Sequence, residues 1–166
     1  MSRMNAGLLT SDRGDWTTPK AFFDLIDSEF GFTLDAAASA ENALCQRFYD
    51  ENADGLAQPW TGVVWCNPPY GRGIDKWVER GYGSAVAGAT VVMLIPARTD
   101  TQYWHKYVMR AAEVRLLRGR LVFGQGEARA NAPFPSALVV FRPGVHFPRF
   151  TSIERGALTP RAKEAA

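Results

Sequence analysis

The apolar positions fall into two kinds of pattern. Phe22, Phe23, Leu25, Ile26 and Phe30 recur at helical spacing, and Gly31 stops the run. Pro19 suits the first turn of that helix, with Thr17 or Thr18 as its N-cap. Ile74, Trp77, Val78 and Tyr82 give a second helix over 74–87, interrupted by Gly81 and Gly83. A third is expected over 101–109. The alanine-rich stretch 36–44, with Ser39 and Glu41 near its start, favours a fourth.

Between these lie short, continuous apolar runs. Val63-Val64-Trp65-Cys66 and Thr90-Val91-Val92-Met93-Leu94-Ile95 read as strands buried on both faces. Prolines stop both. Phe32-Thr33-Leu34 is a short strand ending at Asp35, and 137–141 is a last strand closed by Pro143-Gly144. Residues 114–117 and 120–123 read as strands paired around Gly119, and 144–166 as a basic, loose tail.

Strand and helix alternate, then strands cluster. That order predicts an α/β domain with a mostly parallel sheet and an antiparallel C-terminal edge. The expected division is a lead-in over 1–14, one domain over 15–143, and the tail over 144–166. Open α/β sheets take ligands beyond the carboxyl ends of their strands. The segments to inspect are therefore those after Asp35, after Cys66 and after Pro96.

Composition narrows this little. The 166 residues are 46% apolar and 22% charged, enough for one core without disulfides. Cys45 and Cys66 make neither a disulfide framework nor a zinc site. His105 and His146 have no partner at ligand spacing, so no metal is expected. No signal peptide and no membrane span are expected, which points to the cytoplasm. The net charge of +2 hides a split: residues 1–105 carry 8 Lys and Arg against 13 Asp and Glu, and the remainder 11 against 4. The basic rear part suits a polyanion, or is a solvated surface.

The sharpest chemical feature is Asn67-Pro68-Pro69-Tyr70, directly after a buried strand and followed by Gly71 and Gly73. Two prolines stiffen the backbone and remove two N–H donors. What remains is a set of acceptors, the Asn67 side-chain carbonyl and the proline carbonyls, beside an aromatic ring. Such a tip suits a planar amine. Acceptors that grip the amino hydrogens pull the nitrogen toward tetrahedral geometry and stabilise the positive charge that develops as it attacks an electrophile. The alternative is a proline-stiffened turn with a packed tyrosine.

The motifs around it occur in order. They are Asp15-Trp16-Thr17-Thr18-Pro19, Thr33-Leu34-Asp35-Ala36-Ala37-Ala38, Asp54-Gly55-Leu56, Trp60, Asn67-Pro68-Pro69-Tyr70-Gly71, Leu94-Ile95-Pro96-Ala97-Arg98-Thr99, Arg118-Gly119-Arg120-Leu121-Val122-Phe123 and Ala132-Pro133. Over about residues 14–142 the chain resembles the small DNA N6-adenine methyltransferases of bacteriophages, a Dam-like family. The resemblance implies a compact, Rossmann-like class I methyltransferase fold. It implies S-adenosylmethionine as cofactor and double-stranded DNA as partner, with no obligate protein partner. It implies that Asn67 and Pro68, followed by Pro69, hold the target amino group of a flipped-out base, with Tyr70 stacked on it. Trp16, Thr17, Thr18 and Pro19 would hold the methionine end of the cofactor. Asp35 would meet its amino or ribose groups, or else cap the following helix. Asp54 would accept from its adenine, or else form an Asp-Gly turn.

Two departures bear on the cofactor. Asp35-Ala36-Ala37-Ala38-Ser39 stands where a glycine-rich motif is usual, and 31 residues lie between Asp35 and Asn67. The second and third strands of a full-sized methyltransferase are therefore shortened or missing. Asp50 and Glu51 are the available acidic partners for the ribose diol. Arg72, Arg98, Arg118 and Arg120 are candidate phosphate contacts, and such contacts position DNA without reading its sequence. Cys66 is a small buried filler, since cytosine-C5 chemistry has a different signature. Cytosine-N4 or RNA base methylation, protein-glutamine methylation and an inactive DNA-binding relic of the fold are the competing readings.

Overall fold

A computed structural model describes residues 16–124 and 130–154. The lead-in over 1–14, and 155–166 of the expected tail, lie outside the described residues. Helix α1 (Lys20–Phe30) buries Phe22, Phe23 and Ile26 and closes on Gly31, whose N–H reaches the Asp27 carbonyl at left-handed φ 67°. Its N-cap is Pro19 and carries no side-chain cap. The Pro19 carbonyl takes the amides of Phe22 and Phe23. Neither threonine is the expected cap, because Thr18 is buried and engaged elsewhere.

The sheet is built from β1 (Leu34–Asp35), β2 (Val63–Cys66), β3 (Thr90–Pro96), β4 (Glu113–Arg118), β7 (Ser136–Phe141) and β8 (Arg149–Glu154). Their order is β1-β2-β3-β7-β4-β8. The pairs β1–β2, β2–β3 and β4–β8 are parallel, and β7 is antiparallel to both neighbours. Every residue of β7 is buried, as expected of a strand between two others. A separate ribbon pairs β5 (Val122–Phe123) with β6 (Ala130–Asn131).

Helices lie on both faces. Trp65 and Val92 are register partners and share one face, where Phe23 of α1 meets the Trp65 ring edge-on at 5.4 Å. Helix α2 (Ile74–Val86) covers the opposite face, with Gly81 against Val91 and Met93. Arg115 of β4 ties α1 to the sheet, donating to Glu29 at 2.6 and 2.7 Å and to Glu113 at 2.9 Å. The result is a mixed α/β fold with flanking helices.

Four expectations are corrected. Residues 36–44 form turns rather than a helix: Asp35 takes the Leu44 amide, Asn42 that of Ser39, and the Tyr49 carbonyl that of Ala38. These tertiary partners replace the helical ladder. No hairpin forms around Gly119, since β4 pairs with β7 and β8 while β5 pairs with β6. The third helix is short, α3 (Gln102–Lys106), followed by a 3-10 turn over Val108–Arg110. The stretch from 144 is not uniformly loose, because β8 adds an edge strand beside β4.

Candidate functional site

Strands β1, β2 and β3 run parallel, so Asp35, Asn67 and Arg98 all emerge at one edge of the sheet. A cavity of about 650 Å³ opens there. It lies between Trp16-Thr17-Thr18 on one side, the loop 37–55 on another, and Asn67-Pro68-Pro69-Tyr70 on a third. That volume falls within the roughly 300–1,000 Å³ of small-molecule sites.

Asn67 is held at both ends of its amide. Its Nδ2 donates to the Trp16 carbonyl at 2.7 Å and to Thr18 Oγ1 at 3.0 Å. Its Oδ1 lies 2.7 Å from the Tyr70 hydroxyl. The same hydroxyl is 3.1 Å from the Leu94 carbonyl, so one hydrogen is divided between two acceptors. Burial pushes the Tyr70 phenol well up, and it stays a donor. The Tyr70 ring is enclosed: Phe134 and Phe123 approach edge-on at 5.3 and 6.2 Å, and Trp16 lies tilted at 6.3 Å. Pro68 is buried and Pro69 exposed.

Asp35 is 2% exposed. Its carboxylate takes the Leu44 amide at 3.1 Å and the Ala37 amide at 3.4 Å, which shapes the cavity wall. Burial outweighs these two bonds and raises its pKa from 3.8 to about 6. A carboxyl whose folded pKa is raised stabilises the fold fully below its unfolded pKa and loses that contribution as pH rises through the folded value. Two units correspond to about 3 kcal/mol. Asp35→Asn is therefore expected to flatten the fall in stability between about pH 4 and 6, read by urea unfolding across that range. Parallel profiles for the two proteins would contradict the burial argument.

Asp54 is exposed, lines the cavity and adopts a left-handed φ of 53°. Its Oδ1 takes the Leu56 amide at 3.2 Å, so the Asp-Gly turn is present at a cavity-lining position. Gly55 follows, packed so closely that a Cβ there would stand 2.3 Å from the Ala36 carbonyl oxygen.

Phe48 makes one parallel bridge to Asp35: the Asp35 amide donates to the Arg47 carbonyl, and the Tyr49 amide donates to the Asp35 carbonyl. The chain then delivers Asp50 and Glu51 to the cavity. Tyr49, Asn52 and Trp77 also line it and were not singled out from the sequence. Only Trp77 had a signal there, as an inward helix position.

The arginines divide. Arg72 and Arg98 are exposed beyond β2 and β3. Arg118 also lies at this edge, since β4 and β3 both pair antiparallel with β7, but it binds Glu154 at 2.7 Å. Arg120 is exposed just beyond β4. Cys66 is fully buried, with its thiol pushed up by burial. Cys45 is pushed up to about 12 by burial and the nearby Asp35 and Asp27 charges. Neither thiol is set up as a nucleophile. Both histidines contact backbone carbonyls, His105 that of Thr99 and His146 that of Pro143. No group of three metal-ligating side chains occurs among the described residues. No helix among them is long and apolar enough to cross a membrane.

Fold and site together define an α/β protein whose ligand cavity crosses the carboxyl ends of parallel strands, with an acceptor-rich proline tip at one wall. The family model described as DNA N-6-adenine-methyltransferase (Dam) matches residues 5–164, and the chain belongs to that family. The chain is 33% identical over 102 residues to the DNA N-6-adenine-methyltransferase of Escherichia phage T1, covering 60% of this chain and 42% of that protein. It thus spans less than half the length of that relative. It is 35% identical over 63 residues to YfdM of Escherichia coli strain K12, named as a candidate methyltransferase, covering 33% of this chain and 69% of YfdM. A solved structure from Listeria monocytogenes, described as a candidate class I S-adenosylmethionine-dependent methyltransferase, aligns with a TM-score of 0.42 at 13% identity. That alignment covers 69% of this chain and 44% of the other.

Proposed function

We propose that the protein transfers a methyl group from S-adenosylmethionine to the N6 amino group of adenine in double-stranded DNA, on a Rossmann-like class I methyltransferase fold. The observation that carries this reading is the Asn67 amide, fixed by three hydrogen bonds in the wall of a cofactor-sized cavity.

The cavity residues fit S-adenosylmethionine. Asp35 is a buried carboxylate whose bonds come from backbone amides, so a cationic ligand group beside it would offset its desolvation. Among the described residues Trp16 Nε1 is a buried donor without a partner, which a ligand carboxylate would match. Trp16 and Thr17 on the cavity wall, and Pro19 near them in the chain, would hold the methionine end, Asp50 or Glu51 the ribose diol and Asp54 the adenine. When bound, the cofactor supplies an electrophilic methyl group.

The chain's part is to present the nucleophile. A base inside the duplex is out of reach, so it is flipped out, against the aromatic cluster of Trp16, Tyr70 and Phe134. Asn67 Oδ1 and the Pro68 carbonyl accept the two amino hydrogens, which frees the nitrogen lone pair and stabilises its developing charge. The nitrogen–methyl bond would form as the methyl–sulfur bond of the cofactor breaks, with that electron pair kept by sulfur as a neutral thioether, and one amino hydrogen would leave as a proton. It is acidic once the nitrogen is methylated, so no base of shifted pKa is needed. Arg72, Arg98, Arg118 and Arg120 contact phosphates, with Arg118 exchanging Glu154 for DNA. The reaction takes place in the cytoplasm of the cell, the host's if the gene is a phage's.

The expected result is that incubation with unmethylated DNA and labelled cofactor yields N6-methyladenine in nucleoside mass analysis. Label in N4-methylcytosine or only in RNA would move the substrate. No label and no cofactor binding, with DNA binding retained, would identify an inactive relic.

A further inference from the structure

We infer that Thr18 is a positioning residue that acts through Asn67, holding its amide so that Oδ1 faces the substrate, and is not a cofactor ligand. The inference rests on the proposed reaction and refines it. Three neighbours surround the Asn67 amide. Tyr70 and Thr18 carry hydroxyls, which can donate or accept. The Trp16 carbonyl can only accept, so the amide atom facing it at 2.7 Å must be the nitrogen. That settles the orientation of the amide plane without reference to assigned hydrogens.

The second amide hydrogen then falls to Thr18 Oγ1 at 3.0 Å. Thr18 is 5% exposed, so water is a poor substitute there. With both Nδ2 hydrogens used, Asn67 presents only acceptor character toward the cavity. One lone pair of Oδ1 faces Tyr70, and the other is open to an amino hydrogen. Loss of Thr18 Oγ1 would leave one hydrogen of the partly buried Asn67 Nδ2 unpaired on the side packed against Thr18, which favours a rotated or flipped amide. A flipped amide would point N–H at an amino group, donor against donor. Thr18 also borders the cavity, so a direct contact with cofactor is the competing role.

The test compares wild type, Thr18→Val and Thr18→Ser as full-length protein. Valine keeps the shape and removes the acceptor; serine keeps the acceptor. Thr18→Val is expected to lower single-turnover methyl transfer by about 10- to 100-fold, in the range of one unpaired buried group. Its cofactor Kd by calorimetry should stay within about 3-fold, and Thr18→Ser should recover most of the rate. The Asn67 side-chain amide, followed by NMR, should be slow to exchange in wild type and Thr18→Ser, and fast in Thr18→Val. A cofactor affinity that falls in step with the rate, or an unchanged rate, overturns the inference. If wild type transfers no methyl group to DNA, the proposed reaction fails, and the amide exchange still decides whether Thr18 holds Asn67. Unchanged exchange in Thr18→Val refutes that as well.

Discussion

Asn67→Ala is expected to lower methyl transfer by roughly 10³-fold while the protein stays folded and binds cofactor. Removal of one preorganised hydrogen-bonding partner of a charge-developing atom costs about 10²–10³ in rate. Asn67 stands at or above that range because its loss also releases Tyr70, Thr18 and the Trp16 carbonyl from their shared partner. The side chain is only partly buried and sits beyond the end of β2, so the sheet survives its truncation. Single-turnover rates with thermal melting as a control check this. An alanine variant that melts like wild type and retains a tenth or more of the rate would remove Asn67 from the chemistry.

Gly55→Ala is expected to destabilise the protein by about 3 kcal/mol, the upper part of the range for overpacking. The new Cβ would meet the Ala36 carbonyl oxygen at 2.3 Å and the Trp77 ring at 3.2 Å. A backbone oxygen cannot move aside as a side chain can. For a chain of this length the shift corresponds to roughly 6–12 °C in Tm. Gly83→Ala provides the control. It lies in α2, and a Cβ there meets nothing within 4 Å. Helix propensity alone then predicts a gain of about 0.5–1 kcal/mol. Opposite signs for the two variants are the expected outcome. A neutral Gly55→Ala would mean that loop 36–62 yields easily.

The parts of the fold that were legible in the sequence are those whose own side chains decide their state. Val63–Cys66, and Thr90–Pro96 after its first residue, are apolar and are central strands. Phe22, Phe23 and Ile26 form the buried stripe of α1. Asn67-Pro68-Pro69-Tyr70 was placed correctly because prolines end a strand whatever surrounds it. Elsewhere the partner decides. Alanines at 36, 37 and 38 favour a helix, yet their amides are claimed by the Trp65 carbonyl, the Asp35 carboxylate and the Tyr49 carbonyl respectively. The sequence Arg149–Glu154 has little apolar alternation, and its state follows from the exposed flank of β4.

The site shows the same division. Tyr70 reads as a stacking ring; its packing against three aromatics from distant segments, and its hydroxyl at Asn67, follow from the tertiary fold. Thr18 reads as a helix cap or cofactor ligand. Its distance of 3.0 Å to an amide 49 residues away is a product of the tertiary fold.

The position of β7 constrains how the sheet can assemble in time. It separates β3 from β4, although both precede it in the chain. A nascent chain that has emerged only as far as Arg118 can join β1, β2 and β3, but β4 has no partner among them. Pairing of Ser136–Phe141 with both neighbours closes the sheet in one late, long-range step. Such non-local pairings dominate folding times, because the loop entropy is spent before contacts return it. Until then the inner edges of β3 and β4 stay unpaired, and that interval is when the chain is most open to association with other copies.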